Sequence, residues 1–532
     1  MRGKSVCVIG AGVAGLVSTK ECLASGFEPT CYEKDSDIGG IWNYKESSSQ
    51  GEPSLYASCV LNTSKAMTCF SDFPFPEEYP NYPHHSYFKK YLNMYAEHFR
   101  LRNRIQFGHK ILNVSKMNDY ETTGQWRVIV QNMASGSTSS LDYDFVIVCN
   151  GHYCDPFIPD IKGLDSFEGD YIYSHGYKNF KGFEGKRVLV IGLGNSAGDI
   201  ASELSRHAEH VFLSTRHGTY TVSRALDNGL PSDRVIVRRL YRYLPAAIKR
   251  ILLFRNFTSR INHSNYGIAP NHPFTMRDLI INDELPTRIL VGSLNMKLDI
   301  TKFKEKSVLF EDCSEERIDK VVFATGYEYS IPFLETSTIS IEQRFPYLYK
   351  QIVPPGVEPH TLAVVGRVGT NAPVVPLLEM QARYAVRLFG GHITLPPQEQ
   401  MKSSCERRKQ TLEKMFGREI RFNLSVDYID YMDDLAADVG CSPKTCWYLA
   451  TNPRLWWKVL AGPVVPAQYR LEGPGKCPKA CETIMEGEKC VWIPMRSRRA
   501  GEHETDGLYN PLIKTVFVLL CIASVAVAYT WA

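Results

Sequence analysis

The 532-residue chain reads as an α/β protein of two dinucleotide-binding units, each a parallel sheet flanked by helices, with an apolar segment at its C-terminal end. Three observations predict this. Glycine-rich turns occur twice between an apolar run and a helical stretch, at VCVIGAGVAG and VLVIGLGNSAGDIA. Apolar runs halted by glycine recur at DFVIVCNG, KVVFATGY and LAVVGRVG, the near-continuous hydrophobic pattern of strands buried on both faces. From Thr515 to Ala532 the residues TVFVLLCIASVAVAYTWA carry no charge. The combination gives two Rossmann-like domains followed by a hydrophobic helix.

In the first unit Val6 to Ile9 suit a buried strand, and Gly10, Gly12 and Gly15 follow in GxGxxG spacing, with Ala11, Val13 and Ala14 between them. The spacing supplies a tight turn, a close backbone approach to a pyrophosphate and close helix–strand packing, with the phosphates resting on the helix N-terminus. After the strand EPTCYE comes Glu33. A carboxylate there accepts from ribose hydroxyls and repels a 2′-phosphate, so the site suits FAD or NAD rather than NADP. Its place almost at the N-terminus favours FAD.

The second unit opens at Arg187, with Gly192, Gly194 and, at the third motif position, Ala197, where only close packing is required. The next strand, HVFLSTR, delivers Ser214, Thr215 and Arg216 where an acid would select NAD, and Arg224 follows. Hydroxyls and guanidinium groups suit a 2′-phosphate, which points to NADPH. The plainer alternative is a set of surface arginines at a strand end.

Composition is that of a folded enzyme, 44% hydrophobic and 22% charged, and the length calls for two or three domains. A net charge of +4 is too small to argue for nucleic acid, and no recognised nucleic-acid module is present. The fifteen cysteines form no CxxC or Cys/His cluster, so no metal site is expected, and free thiols in a reducing compartment are the default. N-x-S/T triplets such as the one at Asn62 are read as chance. No signal peptide is expected, because the first strand begins within a few residues of Met1. Arg496, Arg498, Arg499 and Lys514 precede the apolar tail, which by the positive-inside tendency leaves the main body cytosolic on a C-terminal anchor; a GPI signal is the competing reading.

The expected organisation is a first part of the FAD domain at 1–155, an NADPH domain at 156–330 inserted into it, the second part of the FAD domain with the substrate side at 331–510, and a membrane anchor at 511–532. Within the NADPH domain a basic insertion is expected around 232–290. There Arg234, Arg238, Arg239, Arg242, Lys249, Arg250, Arg255 and Arg260 alternate with apolar residues, and no acid interrupts Arg234 to Arg260. This reads as a basic amphipathic helix for an anionic lipid surface, or as a solvated helix packed on the domain.

Three further segments, IGGIWNY, LNTSKAMTCFSDFPFP and FATGY, complete a set that resembles the flavin-containing monooxygenases, of the animal, membrane-bound, dimethylaniline N-oxide-forming type. The likeness runs end to end and includes GNSxxD after the second glycine turn, the segment LEGPGK and the hydrophobic tail. It implies an enzyme in which NADPH reduces FAD, O2 adds to form a C4a-hydroperoxide, and a soft amine or sulfide collects the distal oxygen. Asn62 and Asn195 are the catalytic residues it implies. It places Gly40, Ile41, Trp42, Leu61 and Thr63 around FAD, and Ser196, Gly198, Asp199, Thr325 and Gly326 around the cofactors. An endoplasmic reticulum membrane, lipid contact and xenobiotic substrates follow from the same resemblance; a homo-oligomer is allowed and not specified.

The chain departs from the family at one fingerprint. FxGxxxHxxx(Y/F) appears with Phe167, Gly169 and Tyr177, but Tyr173 stands at the histidine position and His175 falls two places later. That questions interdomain coupling and NADPH handling, and GTNA at Gly369 to Ala372 replaces a glutamine-containing turn. Alternatives are an NADPH oxidase releasing H2O2, a Baeyer–Villiger monooxygenase, whose fingerprint ends in tryptophan where this chain has Tyr177, and a membrane-anchored nucleotide sensor without turnover.

Overall fold

The computed structural model describes residues 3–49, 51–226, 229–258, 260–270, 279–342, 345–416 and 424–496. Its frame is a pair of five-stranded parallel sheets. The first runs in the order Leu362–Val364, Phe145–Val148, Ser5–Ile9, Glu28–Glu33, Ile105–Phe107. The second runs Leu294–Lys297, His210–Ser214, Arg187–Ile191, Lys320–Phe323, Asp170–Tyr173. The strand Leu362–Val364 thus belongs to the first sheet although the whole second sheet precedes it in the chain. Both units insert a three-stranded antiparallel meander before the strand that returns beside the glycine-turn strand: 109–143 in the first and 300–317 in the second. The two crossings between the units lie side by side, with Asp155–Pro156 pairing antiparallel to Tyr327–Glu328.

The central strands read as unbroken apolar runs because helices or meanders cover both faces: Val6, Cys7, Val8, Val188, Leu189 and Val190 are fully buried. The helix Val13–Ala24, launched by the first glycine turn, packs on the long helix Val375–Phe389. Where these helices meet the loop at Ser71 and Asp72, a buried ion cluster forms. Arg470 Nη2 lies 2.6 Å from Glu379 Oε1, 3.1 Å from Asp72 Oδ2 and 3.2 Å from Glu21 Oε1. Lys20 Nζ adds contacts of 2.8 Å to Glu21 and 2.5 Å to Asp72. The three carboxylates are close enough to suit a metal ion, and the Arg470 guanidinium supplies that positive charge instead. Burial works against the arginine's charge, yet Glu379, Asp72 and Glu21 hold its pKa above the ordinary value.

The basic stretch is not the single amphipathic helix that the sequence suggests. It breaks into Ser232–Ile236, a 3-10 turn at Arg239–Arg242 and Ala246–Thr258, with Pro245 directly ahead of the last. Arg234 and Arg239 are buried, at 4% exposure each, and cannot face lipid. Arg239 and Arg242 pair with Asp433, and Arg242 also with Asp430, at 2.7–2.9 Å. The acids missing from the stretch are therefore supplied by a distant helix, Tyr428–Val439. Among the described residues no helix is long and apolar enough to cross a membrane, and the tail at 515–532 lies outside them.

Removing Arg470 leaves Glu379 with no cation among the described residues and leaves Lys20 alone with Glu21 and half-buried Asp72. Arg470→Ala is expected to cost roughly 3–5 kcal/mol, read as a lowered thermal midpoint of the FAD-loaded enzyme. A change no larger than that of an exposed arginine such as Arg317 would contradict the structural role given to the cluster.

Candidate active site

The first glycine turn is fixed by backbone contact. Gly10 has φ +100°, and a Cβ there would lie 2.8 Å from the Cys149 carbonyl oxygen; at Gly15 it would lie 1.7 Å from the Gly10 carbonyl oxygen. Gly39 N donates to Ala11 O at 2.9 Å, so the GGxW segment folds over the turn, with Gly40 Cα 3.7 Å from a Cβ placed on Gly12. Gly12 caps the helix Val13–Ala24 with no side-chain partner, which leaves first-turn N–H groups of Val13 and Ala14 for a ligand. Glu33 Oε2 accepts from Ala11 N at 2.6 Å and Oε1 from Asp35 N at 2.9 Å. Burial raises the Glu33 pKa, and each oxygen keeps a second lone pair for ribose hydroxyls. These residues fit the adenosine diphosphate half of FAD. Trp42 packs edge-on against Phe88, at 4.7 Å between rings; Ile41 beside it is half-buried.

The second turn repeats the device. A Cβ on Gly192, at φ +109°, would meet the Ala324 carbonyl oxygen at 2.5 Å, whereas one on Gly194 meets nothing within 4 Å. Open space therefore faces the start of the helix Asn195–Leu204, where a pyrophosphate fits. Ser196 there is exposed and Ala197 is buried against the sheet; a Cβ on Gly198 would touch Asn282 and Ile280 at 3.4 Å. At the strand end the hydroxyls are partly committed: Ser214 donates to Leu298 O at 2.7 Å, and Thr215 Oγ1 accepts from Gly218 N at 3.1 Å. Arg216 is 65% exposed and only 4.0 Å from Asp299, so its guanidinium is available to an anion. Thr325 donates to Phe157 O at 2.6 Å and Gly326 O accepts from Phe157 N at 2.9 Å, which puts both on the interdomain crossing.

Arg224 shares no hydrogen-bond partner with Ser214, Thr215 or Arg216. It reaches out of the second unit: Nη2 donates to Asn62 Oδ1 at 3.0 Å and Nη1 to Asp283 Oδ2 at 3.2 Å. The loop carrying Asn62 is itself pinned. Leu61 N donates to Pro83 O at 3.0 Å, Thr63 bonds Thr68 at 2.6 Å, and Ser64 N donates to buried Asp233 at 2.6 Å. Burial raises the Asp233 pKa.

Asn195 is anchored by the same neighbourhood. Its Oδ1 accepts from Ile281 N at 2.9 Å, while Asn282 Nδ2 donates to Asp199 Oδ1 at 2.8 Å. Asp199 Oδ2 accepts from Tyr56 OH at 2.6 Å, so this acid ties the two units together, and burial raises its pKa. The segment Ile281-Asn282-Asp283 thus serves both asparagines, one through Ile281 and the other through Asp283 and Arg224. The sequence reading missed it. Its signal was INDELP, in which Asn282 Oδ1 caps the next helix by accepting from Glu284 N and Leu285 N at 2.9 and 2.7 Å.

Tyr173 ends its strand against Phe323, with rings 5.6 Å apart. His175, two residues on, makes the interdomain bonds: Nε2 lies 2.7 Å from Glu52 O, and His175 O accepts from Ser54 Oγ at 2.6 Å. Tyr177 OH donates to Glu203 at 3.0 Å. Gly369, in the GTNA turn, exchanges backbone hydrogen bonds with Leu424 and Val426.

Residues 3–530 match the model of the flavin-binding monooxygenase-like family. The chain is 40% identical to dimethylaniline monooxygenase (N-oxide-forming) 2 of Cavia porcellus, over 98% of both proteins. Among solved structures it resembles S-allyl-L-cysteine S-oxygenase from Allium sativum, with a TM-score of 0.63, 23% identity, and coverage of 85% of this chain and 94% of that one. It also resembles closed cyclohexanone monooxygenase, with a TM-score of 0.59, 16% identity, and coverage of 82% and 97%. These two likenesses concern the fold.

The glycines separate by what surrounds them. Gly15→Ala is expected to yield protein without visible flavin absorbance, because the new methyl meets a carbonyl oxygen. Gly194→Ala, with open space around it, is expected to retain FAD and raise the KM for NADPH, measured by NADPH oxidation. FAD retained in Gly15→Ala would contradict the packing described.

Proposed function

Because this chain belongs to the flavin-binding monooxygenase-like family, we propose that its cleft oxygenates soft nucleophilic nitrogen or sulfur atoms of small molecules. The enzyme is an oxidoreductase that depends on FAD and NADPH, and O2 is the co-substrate. The relative's printed name makes an N-oxide and the structural neighbour's an S-oxygenated product, which supports both substrate atoms. The observation that supports the reading is a pair of neutral carboxamides, Asn195 at the start of the second turn's helix and Asn62 tied to the second unit through Arg224.

FAD held here would supply the redox chemistry and the activation of O2; the chain's own residues bind, orient and exclude water. Gly10 to Gly15 with Glu33 would hold FAD, and Gly192 to Ala197 with Arg216 would hold NADPH. A carboxamide does not ionise near neutral pH, so Asn62 offers hydrogen bonds to oxygen without surrendering a proton. An acid in its place would supply acceptors only and would pair with Arg224. Asn62→Asp is expected to lose sulfide oxygenation by about 100-fold while keeping FAD. Normal sulfoxide formation by that variant would remove Asn62 from the reaction.

The proposed substrate class is tested by offering an alkyl aryl sulfide and a cyclic ketone with NADPH. Sulfoxide without ester is the expected outcome; ester as the main product, or H2O2 stoichiometric with NADPH and no product, would replace this reading.

Lipid contact is proposed for one face. On the helix Ala246–Thr258, Ile248, Ile251 and Phe254 are exposed beside Arg250 and Arg255, and Trp447, Leu449 and Trp457 are exposed on Thr445–Thr451 and Pro453–Ala461. The backbone bond from Val464 N to Val237 O, at 2.9 Å, ties the chain ahead of the first of these helices to the chain just after the last. An amphipathic surface of this kind suits an anionic bilayer such as the endoplasmic reticulum's. Deleting the residues after Lys514 is expected to leave a fraction of the protein on anionic vesicles that high salt releases; complete loss of vesicle binding would assign all anchoring to the tail.

A further inference from the structure

We infer that Arg224 is a positioning residue which, braced by Asp283, engages the oxygen of the Asn62 carboxamide and so leaves its N–H donors for the ligand. This rests on the reading above that Asn62 serves the oxygenation. The sequence points Arg224 at the 2′-phosphate of NADPH, whereas its hydrogen-bond partners point elsewhere.

Three features carry the inference. First, a guanidinium has no acceptor, so the Asn62 atom 3.0 Å from Arg224 Nη2 is the amide oxygen, and the amide nitrogen is turned the other way. Second, Arg224 is itself held. Asp283 accepts from Arg224 Nη1 at 3.2 Å and from the Arg224 backbone N at 3.1 Å, and Ser223 Oγ also donates to it. Tyr82 lies beneath the guanidinium, 5.9 Å from ring centre to Arg224 Cζ, and its hydroxyl donates to Arg224 O at 2.6 Å. A side chain fastened at both ends is poorly placed to swing to a phosphate, whereas Arg216 at the strand end is 65% exposed.

Third, Asn195 shows the same orientation by an independent route. The Ile281 backbone N–H can only donate, so the Asn195 atom 2.9 Å from it is again the oxygen. Neither amide nitrogen has a protein acceptor among the described residues. Both asparagines therefore spend their oxygens on the protein and keep their N–H groups for a ligand. Such donors are complementary to acceptors: a carbonyl oxygen, or an oxygen on which negative charge develops. An amide free to rotate would present its own oxygen half the time and repel such an atom.

The test is a double-mutant cycle in the full-length FAD-loaded enzyme, using Asn62→Ala, Arg224→Met and the double variant. Sulfoxide formation and H2O2 released per NADPH would be followed, together with NADP+ and NAD+ binding titrated through the flavin absorbance. Arg224→Met is expected to lower sulfide oxygenation by at least about tenfold and raise the H2O2 fraction, with the NADP+/NAD+ affinity ratio within about threefold of the parent. The double variant should be no worse than Asn62→Ala alone, the signature of one residue acting through another. Arg216→Ala should show the opposite pattern, losing the NADP+ preference while keeping coupling.

Collapse of the affinity ratio in Arg224→Met with coupling intact would return the residue to the 2′-phosphate. Additive losses in the cycle would overturn action through Asn62. If Arg224→Met retains too little FAD to assay, Arg224→Lys replaces it in the cycle, since one ammonium cannot bridge Asp283 and Asn62 together. Should Asn62→Ala itself leave coupling unchanged, the functional reading of Asn62 fails; should it uncouple while Arg224→Met does not, only the positioning role fails.

Discussion

One buried guanidinium, that of Arg470, joins parts of the chain that the reaction needs in register. Its partners lie on the helix of the first glycine turn, on the loop at Asp72 and on the helix Val375–Phe389. The Asp72 loop continues directly from the segment bearing Asn62, so the cluster fixes one end of the active-site loop while Asp233 and Pro83 fix the other. Burying such charges gains little net stability over apolar packing, because desolvation offsets the attraction. What it provides is an arrangement that no other pairing satisfies: a displaced loop leaves a carboxylate in the core without its cation.

The two units solve one problem in the same manner. A dinucleotide needs a helix start brought close to its phosphates, and each first glycine achieves this by leaning on the carbonyl that follows the neighbouring strand, Cys149 in one sheet and Ala324 in the other. They differ at the second strand's end. Glu33 is enclosed and bonded to two backbone N–H groups, whereas Arg216 stands in solvent beside hydroxyls that already have partners. On the proposed reading, the enclosed acid suits a cofactor that is kept and the exposed guanidinium one that is exchanged.

Local chemistry was legible in the sequence and long-range pairing was not. The glycine turns and Glu33 are set by spacing within some thirty residues, so their local geometry could be read directly. The strands Phe145–Val148 and Leu362–Val364 were visible as apolar runs halted by glycine. Arg224 was read with Arg216 because the two are close in sequence; the partners it has in the fold, Asn62 and Asp283, lie far from it in the chain. Two cations of the basic stretch were hidden from sequence for the same reason: Asp430 and Asp433 pair with Arg239 and Arg242 from a helix nearly two hundred residues away. Tyr173 was read as a departure from the family pattern, and sequence could not show that His175 reaches the carbonyl of Glu52 across the unit boundary.

Polar contacts make much of the boundary between the two units near the cleft. Tyr56 meets Asp199, Ser58 meets Glu203, His175 meets Glu52 and Arg224 meets Asn62. Interfaces of this character exchange partners with water at modest cost, so relative movement of the domains is the default expectation. Two asparagines then stand on different footings. Asn195 takes its anchor from Ile281 within its own unit and keeps it through any such movement, whereas Asn62 belongs to the first unit and takes its anchor from the second. Orientation of the Asn62 amide is consequently a property of the assembled pair of domains, and a displacement that separates Arg224 from Asn62 leaves the amide oxygen free to turn inward. On the proposed reading, both amides keep their oxygens engaged only when the two units are together, because the anchor of Asn62 is the second unit's Arg224.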